Sequence, residues 1–215
     1  MGERANLLRP AQAAFISGIA VRAVDRAIDE HVLPKGFYVL DGGRRLTPGA
    51  CVMIAFYHAA ADTFTPGLRK HIINRFEDRL RYVEFDHCEA LARENWKLGE
   101  QYWSVDLAPF IALTAGGYER LREAEAAVAR DEDVMSGAEV LRGTRVLVHD
   151  VAASAGDGEP IERIRDAYPS LTDRQIELAI IYATAHPQRG RPRGTALTTG
   201  TKHVERKVVQ RKTAR

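Results

Sequence analysis

Residues 10–29 read PAQAAFISGIAVRAVDRAID, and this stretch decides how the amino-terminal half of the chain folds. Pro10 suits the first turn of a short helix through Phe15 and Ile16, where a missing amide hydrogen costs nothing, and Ser17-Gly18 breaks that helix in a tight turn. A second helix follows at once. In it Val21, Val24 and Ile28 recur at helical spacing and predict one buried stripe, while Arg22 and Arg26, four apart, share another face.

Outward from this pair, Gly36 to Leu40 predicts a strand and Arg44-Arg45-Leu46 the return strand of a hairpin. Asp41-Gly42-Gly43 supplies the turn, because glycine accepts positive φ. Helix, tight turn, helix and basic-tipped hairpin are the parts of a winged helix-turn-helix domain, whose second helix enters the major groove of DNA. Arg22 and Arg26 would then read base edges, Ala23 beside them would approach a thymine methyl, and Arg44 and Arg45 would hold phosphate. Set against this, Asp25, Asp29 and Glu30 offset the local charge. Residues 1–45 carry seven basic and five acidic residues, net +2, and arginines on an exposed helix face are commonly just solvated.

Thr47-Pro48-Gly49 and Thr65-Pro66-Gly67 repeat one helix-start signal, a threonine cap followed by proline in the first turn. After the second, Leu68, Ile72, Phe76 and Leu80 form an apolar seam suited to core packing or to a second subunit. These readings assign residues 1–81 to the winged domain. Residues 82–130 read as a connector and dimerisation region, with a possible short strand in 94–106 and an Ala/Glu/Arg-rich helix over 118–130. Its Trp96, Tyr102 and Trp103 are better suited to packing than to stacking a ligand.

Residues 131–187 read as a small helical domain. Val140-Leu141 and Val146-Leu147-Val148 are strand candidates for a short hairpin, Pro160 opens a helix, and Thr172 with Gln175 has capping-box spacing before a last helix ending at His186. The fold class expected is mainly α: a winged helix-turn-helix domain plus a small helical carboxy-terminal domain with a short β-hairpin. Residues 188–215 form a basic tail.

Composition bounds the rest. The chain has 215 residues, with 31 Lys+Arg against 29 Asp+Glu, and only two cysteines, Cys51 and Cys88, which provide neither a disulfide framework nor a four-cysteine zinc site. The longest apolar run, Ala50 to Tyr57, falls far short of the roughly 20 residues a spanning helix needs. No signal-peptide core opens the chain, so a cytoplasmic protein with no membrane contact is expected. Charge is split unevenly: residues 188–215 hold nine basic residues against Glu205 alone, net +8, which leaves the remaining 22 basic and 28 acidic residues at −6. A basic tail on an acidic body meets nucleic acid, an acidic protein cleft or the body itself, unless it is simply solvated. Its segment Arg189-Gly190-Arg191-Pro192-Arg193-Gly194 resembles the AT-hook peptide of the minor groove; the same guanidiniums equally suit a carboxylate-lined protein pocket.

Enzyme signatures are few. No Gly-x-Gly-x-x-Gly occurs, and Gly194 to Lys202 has the wrong spacing and order for a phosphate loop. His58 and Asp62 at i, i+4 spacing, with Asp86 and His87 near Cys88 and Glu89, give the residue types of a metal-dependent hydrolase, though a polar surface accounts for them as well. No catalytic residue, metal site or cofactor is expected.

Val134-Met135-Ser136-Gly137 to Leu141-Arg142-Gly143-Thr144-Arg145-Val146 is one of two motif-bearing stretches. The other is Pro160, Ile161 and Ile164 followed by Tyr168-Pro169-Ser170-Leu171-Thr172, Ile176 and Ala179 to Tyr182. Together they resemble the domain of VapB-type antitoxins, and the amino-terminal part resembles the MerR-like winged readers that precede such domains. The resemblance implies a non-catalytic antitoxin. Its partners would be operator DNA, which it autorepresses as a homodimer, and a PIN-domain ribonuclease toxin inhibited through the carboxy-terminal segment, where Arg189, Arg191 and Arg193 would approach toxin carboxylates. A stand-alone regulator with an AT-hook-like tail is the nearest alternative; a metal-dependent hydrolase is the second.

Overall fold

The computed structural model describes residues 7–85, 91, 94–132 and 135–188. It is mainly helical, with small antiparallel strand pairs. In chain order the described elements are α1 (Pro10–Ser17), α2 (Val21–Asp29), β1 (Tyr38–Val39), β2 (Arg45–Leu46), α3 (Pro48–Ala59), α4 (Pro66–Arg75), α5 (Glu77–Leu80), β3 (Lys97–Glu100) and β4 (Trp103–Asp106). There follow α6 (Ala108–Ala126), β5 (Val128–Arg130), a 3-10 turn at Met135–Gly137, β6 (Glu139–Leu141), α7 (Val148–Gly156), α8 (Ile161–Ala167) and α9 (Asp173–Ala185).

The first pair of helices forms where the sequence predicts it. Gln12 accepts the Arg9 amide at 2.8 Å at the start of α1, and Gly18 ends the helix at φ 70°, its amide returning to the carbonyls of Ala14 and Phe15. Only glycine takes that left-handed turn without strain. Ser17 is buried, and its hydroxyl donates to the Cys51 carbonyl at 3.2 Å, so the break is anchored to the core. In α2, Val24 and Ile28 are buried as expected; Val21, at the first position of the helix, is instead 41% exposed. The hairpin pairs Tyr38 with Leu46 and Val39 with Arg45, and Leu8 bridges Leu46 through two 2.8 Å hydrogen bonds.

Both threonine caps form: the Thr47 side chain accepts from the Ala50 amide, and the Thr65 side chain from the Leu68 amide. Helix α3 is the axis of the first core, with Pro48 through Phe56 all buried. Burial pushes the Cys51 thiol up to about 12, so it packs as a small apolar side chain. Ile72, Phe76 and Leu80 are buried, but the chain kinks at Phe76, which divides the expected seam between α4 and α5.

The first core does not stop near Arg81. Residues 82–130, read above as a connector, contribute Phe85, Trp96, Val105, Leu107, Ile111, Tyr118 and Leu121 to it. Trp96 is buried, donating its indole N–H to the Leu91 carbonyl at 2.7 Å, while Tyr102 stands in solvent at the β3–β4 turn, 89% exposed. The helix expected over 118–130 starts ten residues earlier and ends at Ala126, after which Val128–Arg130 becomes a strand. Helix α6 therefore serves both cores, with Leu121 in the first and Ala124 in the second.

In the second core, β6 pairs with β5 instead of with the 146–148 segment; Leu147 makes one bridge to Val140 and Val148 already opens α7. Arg142 explains the junction. Its guanidinium donates to the carbonyls of Ala126, at 2.9 Å, and Val128, at 3.3 Å, and its amide to Ala127 at 2.8 Å, satisfying groups left over where α6 stops. The Thr172–Gln175 capping box is present at the start of α9, and α7, α8 and α9 close over Leu141, Val151, Ile164 and Ile176.

Candidate nucleic-acid interface

Helix α2 buries Val24, Ala27 and Ile28. At about 100° per residue, Arg22 and Arg26 lie diametrically opposite that face. Both are exposed, and among the described residues neither side chain makes a hydrogen bond or ion pair. Ala23 sits half-buried on one flank, Asp25 and Asp29 on the other.

The two hairpin arginines, placed together in the sequence reading, are separated by the structure. Arg44 folds back on α2: Nη1 lies 2.8 Å from Asp25 Oδ1 and Nη2 lies 2.8 Å from Asp29 Oδ1. The hydrogen bonds it donates to Asp25 and then Asp29 raise its pKa further. Arg44 is thus no free phosphate clamp but the strut between hairpin and helix. Arg45, the first residue of β2, takes a different partner. It is half-buried and donates from Nη1 to the Arg44 carbonyl at 3.0 Å. The sequence reading gave both arginines one role; that α2 would offer Asp25 and Asp29 to Arg44 depends on how the hairpin packs on that helix.

A cation that sequence reasoning missed is Lys70, brought from α4 so that Nζ donates to the Glu30 carbonyl at 2.8 Å. It meets the negative end of the α2 dipole. No local pattern signals it, since forty residues separate the partners. By contrast, the helix α9 that ends the second core offers little free positive charge at its start: Arg174 is held by Glu123 and Glu177, and Arg165 by Asp173.

Other sequence candidates fall elsewhere. Arg189, Arg191 and Arg193 lie outside the described residues, as do Asp86, His87, Cys88 and Glu89. His58 is the penultimate region of α3, but Asp62 lies past the end of that helix, so the i, i+4 face is not formed. No group of three or more potential metal ligands comes together among the described residues. No described helix is long and apolar enough to cross a membrane.

Residues 128–183, from β5 almost to the end of α9, match the family described as "Protein of unknown function (DUF433)". Over 189 residues the chain is 41% identical to "Uncharacterized protein y4eO" of Sinorhizobium fredii (strain NBRC 101917 / NGR234), which takes in 88% of this chain and 86% of that protein. The chain belongs to the y4eO family. The likeness to y4eO extends well beyond the DUF433 stretch, so family membership includes most of the first core. No solved structure matches.

Proposed function

We propose that the protein is a DNA-binding regulator of the antitoxin type. A homodimer presents two copies of the α1–α2 unit to an operator, α2 enters the major groove with Arg22 and Arg26 on base edges, and the hairpin rests on the backbone as the wing of a winged helix-turn-helix. The carboxy-terminal segment binds and inhibits a ribonuclease toxin of the PIN-domain type in the cytoplasm. The observation that carries the DNA half is the pair of unpartnered, exposed arginines opposite the buried face of α2. The antitoxin half rests on the VapB-type resemblance of residues 134–182 and on a +8 tail attached to a −6 body, a charge suited to a nuclease cleft lined by carboxylates.

The test has two arms. Full-length protein is footprinted on the DNA upstream of its own gene, where two protected half-sites about one helical turn apart are expected; no preference for that DNA over random duplex overturns the regulator. The chain is also co-expressed with the product of the adjacent reading frame. Co-purification and growth rescue are expected, and deletion after Pro187 is expected to abolish both; full rescue by the truncated chain removes the tail from the toxin contact.

Arg44 gives a further prediction. Arg44→Ala leaves Asp25 and Asp29 uncompensated beside the groove face, so duplex affinity should fall at low salt and the deficit should shrink as salt rises. An affinity unchanged at every salt concentration would show that the strut does not serve DNA binding.

A further inference from the structure

A cleft of about 610 Å³ opens between the two cores. That volume suits a small-molecule ligand, but the walls are far more polar than those of ordinary apolar ligand pockets. One wall is α9, where the rings of Tyr182 and His186 stack at 4.5 Å and 22°. Two carboxylates lie beneath. Glu139 receives the Tyr182 hydroxyl at 2.9 Å and Arg130 Nη2 at 2.6 Å on Oε1, and His149 Nε2 lies 3.1 Å from Oε2. Glu125 Oε1 accepts from Gln12 Nε2 at 3.0 Å and lies 3.0 Å from His186 Nε2.

Both carboxyls are held below the usual range. For Glu125 the first cause is the His186 hydrogen bond; for Glu139, burial pulls upward and the bonds from Tyr182, His149 and Arg130 outweigh it. They are therefore ionised, and each already accepts hydrogen bonds from protein donors.

The facing wall differs. Arg9 and Arg45, from the start of α1 and from β2, line the same cleft and have no carboxylate partner among the described residues. With Arg130, which is paired with Glu139, they give the lining three guanidiniums against two carboxylates, a net positive recess whose cations come from both cores. Its lining includes neither Arg44 nor any residue of α2.

We propose that this cleft binds a small organic anion bearing carboxylate or phosphate groups, held by Arg9 and Arg45 of the first core and Arg130 of the second. The site uses neither Arg22 nor Arg26, and of the residues assigned to DNA it shares Arg45 of the hairpin. Guanidinium forks match either headgroup bidentately, and the ligand would clamp the two cores together.

The test uses full-length protein without DNA, titrated with citrate and, separately, with inorganic phosphate, by thermal melting and calorimetry, with sodium chloride at matched ionic strength. A saturable rise in Tm with at least one anion and none with chloride is expected; which anion acts tells carboxylate from phosphate. Arg45→Ala and Arg9→Ala should each weaken binding about tenfold or more, and Arg45→Lys should recover part of it. Because both residues sit on the surface or half-buried, their variants should melt near the wild type without ligand. An equal rise with chloride, no rise with either anion, or a rise unchanged in both alanine variants overturns the proposal. Variants that lose duplex affinity yet keep the full anion response would make these arginines DNA contacts and overturn it too.

Discussion

Replacing Arg22 and Arg26 together by alanine is expected to weaken operator binding by between about 30-fold and about 20,000-fold. A good bidentate arginine contact to a base is worth about 1–3 kcal/mol of discrimination, and two of them sum to that range at about 1.4 kcal/mol per decade. The fold should be untouched: neither side chain has a partner among the described residues, and both point away from the buried face formed by Val24, Ala27 and Ile28. Surface changes of this kind usually move stability by no more than about 0.5 kcal/mol. Lysine at both positions separates the two kinds of contact, since it keeps charge for phosphate but loses the planar fork. Binding to random duplex should survive in that variant while preference for the operator collapses. Unchanged operator affinity of the double alanine variant at moderate salt, with melting intact, would take α2 out of the groove.

The second large effect concerns stability and tests two glycines of one repeated motif. A Cβ on Gly49 would lie 2.1 Å from the Leu80 carbonyl oxygen and 3.1 Å from the Phe37 ring, whereas a Cβ on Gly67 would meet nothing within 4 Å. The obstacle at Gly49 is backbone, which cannot swing aside as a side-chain tip does. Overpacking of this kind costs about 1–3 kcal/mol and sometimes more, so Gly49→Ala should destabilise by about 3 kcal/mol in denaturant unfolding. Gly67→Ala should instead stabilise by up to about 1 kcal/mol, because alanine loses less backbone freedom in a helix. Matching effects at the two positions would mean that α3 does not sit against the end of α5 as described.

That pair shows where sequence reading stops. Thr47-Pro48-Gly49 and Thr65-Pro66-Gly67 announce the same helix start, and both caps form, because capping is settled by atoms within three residues of one another. Whether the glycine is indispensable depends on Leu80, brought there by the packing of α5 on α3. The same division runs through the candidate interface. The placement of Arg22 and Arg26 on one face follows from helical period. The capture of Arg44 by Asp25 and Asp29 depended on the angle between hairpin and helix.

The region between Tyr82 and Arg130 was least legible. The connector reading placed only a helix over 118–130, whereas one long helix runs through Gly116-Gly117, and the close approach of Gly117 to the Ile16 backbone shows why a glycine stands at 117. Local propensity reads those glycines as a break, and tertiary packing overrides it.

By itself, then, the sequence determined the caps, the turn at Gly18, the hairpin reversal, the exposed arginine face of α2 and the uneven spread of charge, since each depends on neighbours a few residues apart or on composition alone. Only the tertiary structure decided that one helix, α6, would serve two cores, that Arg44 would be spent on an internal strut, and that Arg9, Arg45 and Arg130 would meet across a cleft. Those outcomes join residues tens of positions apart, and nothing in a local pattern carries the distance between them.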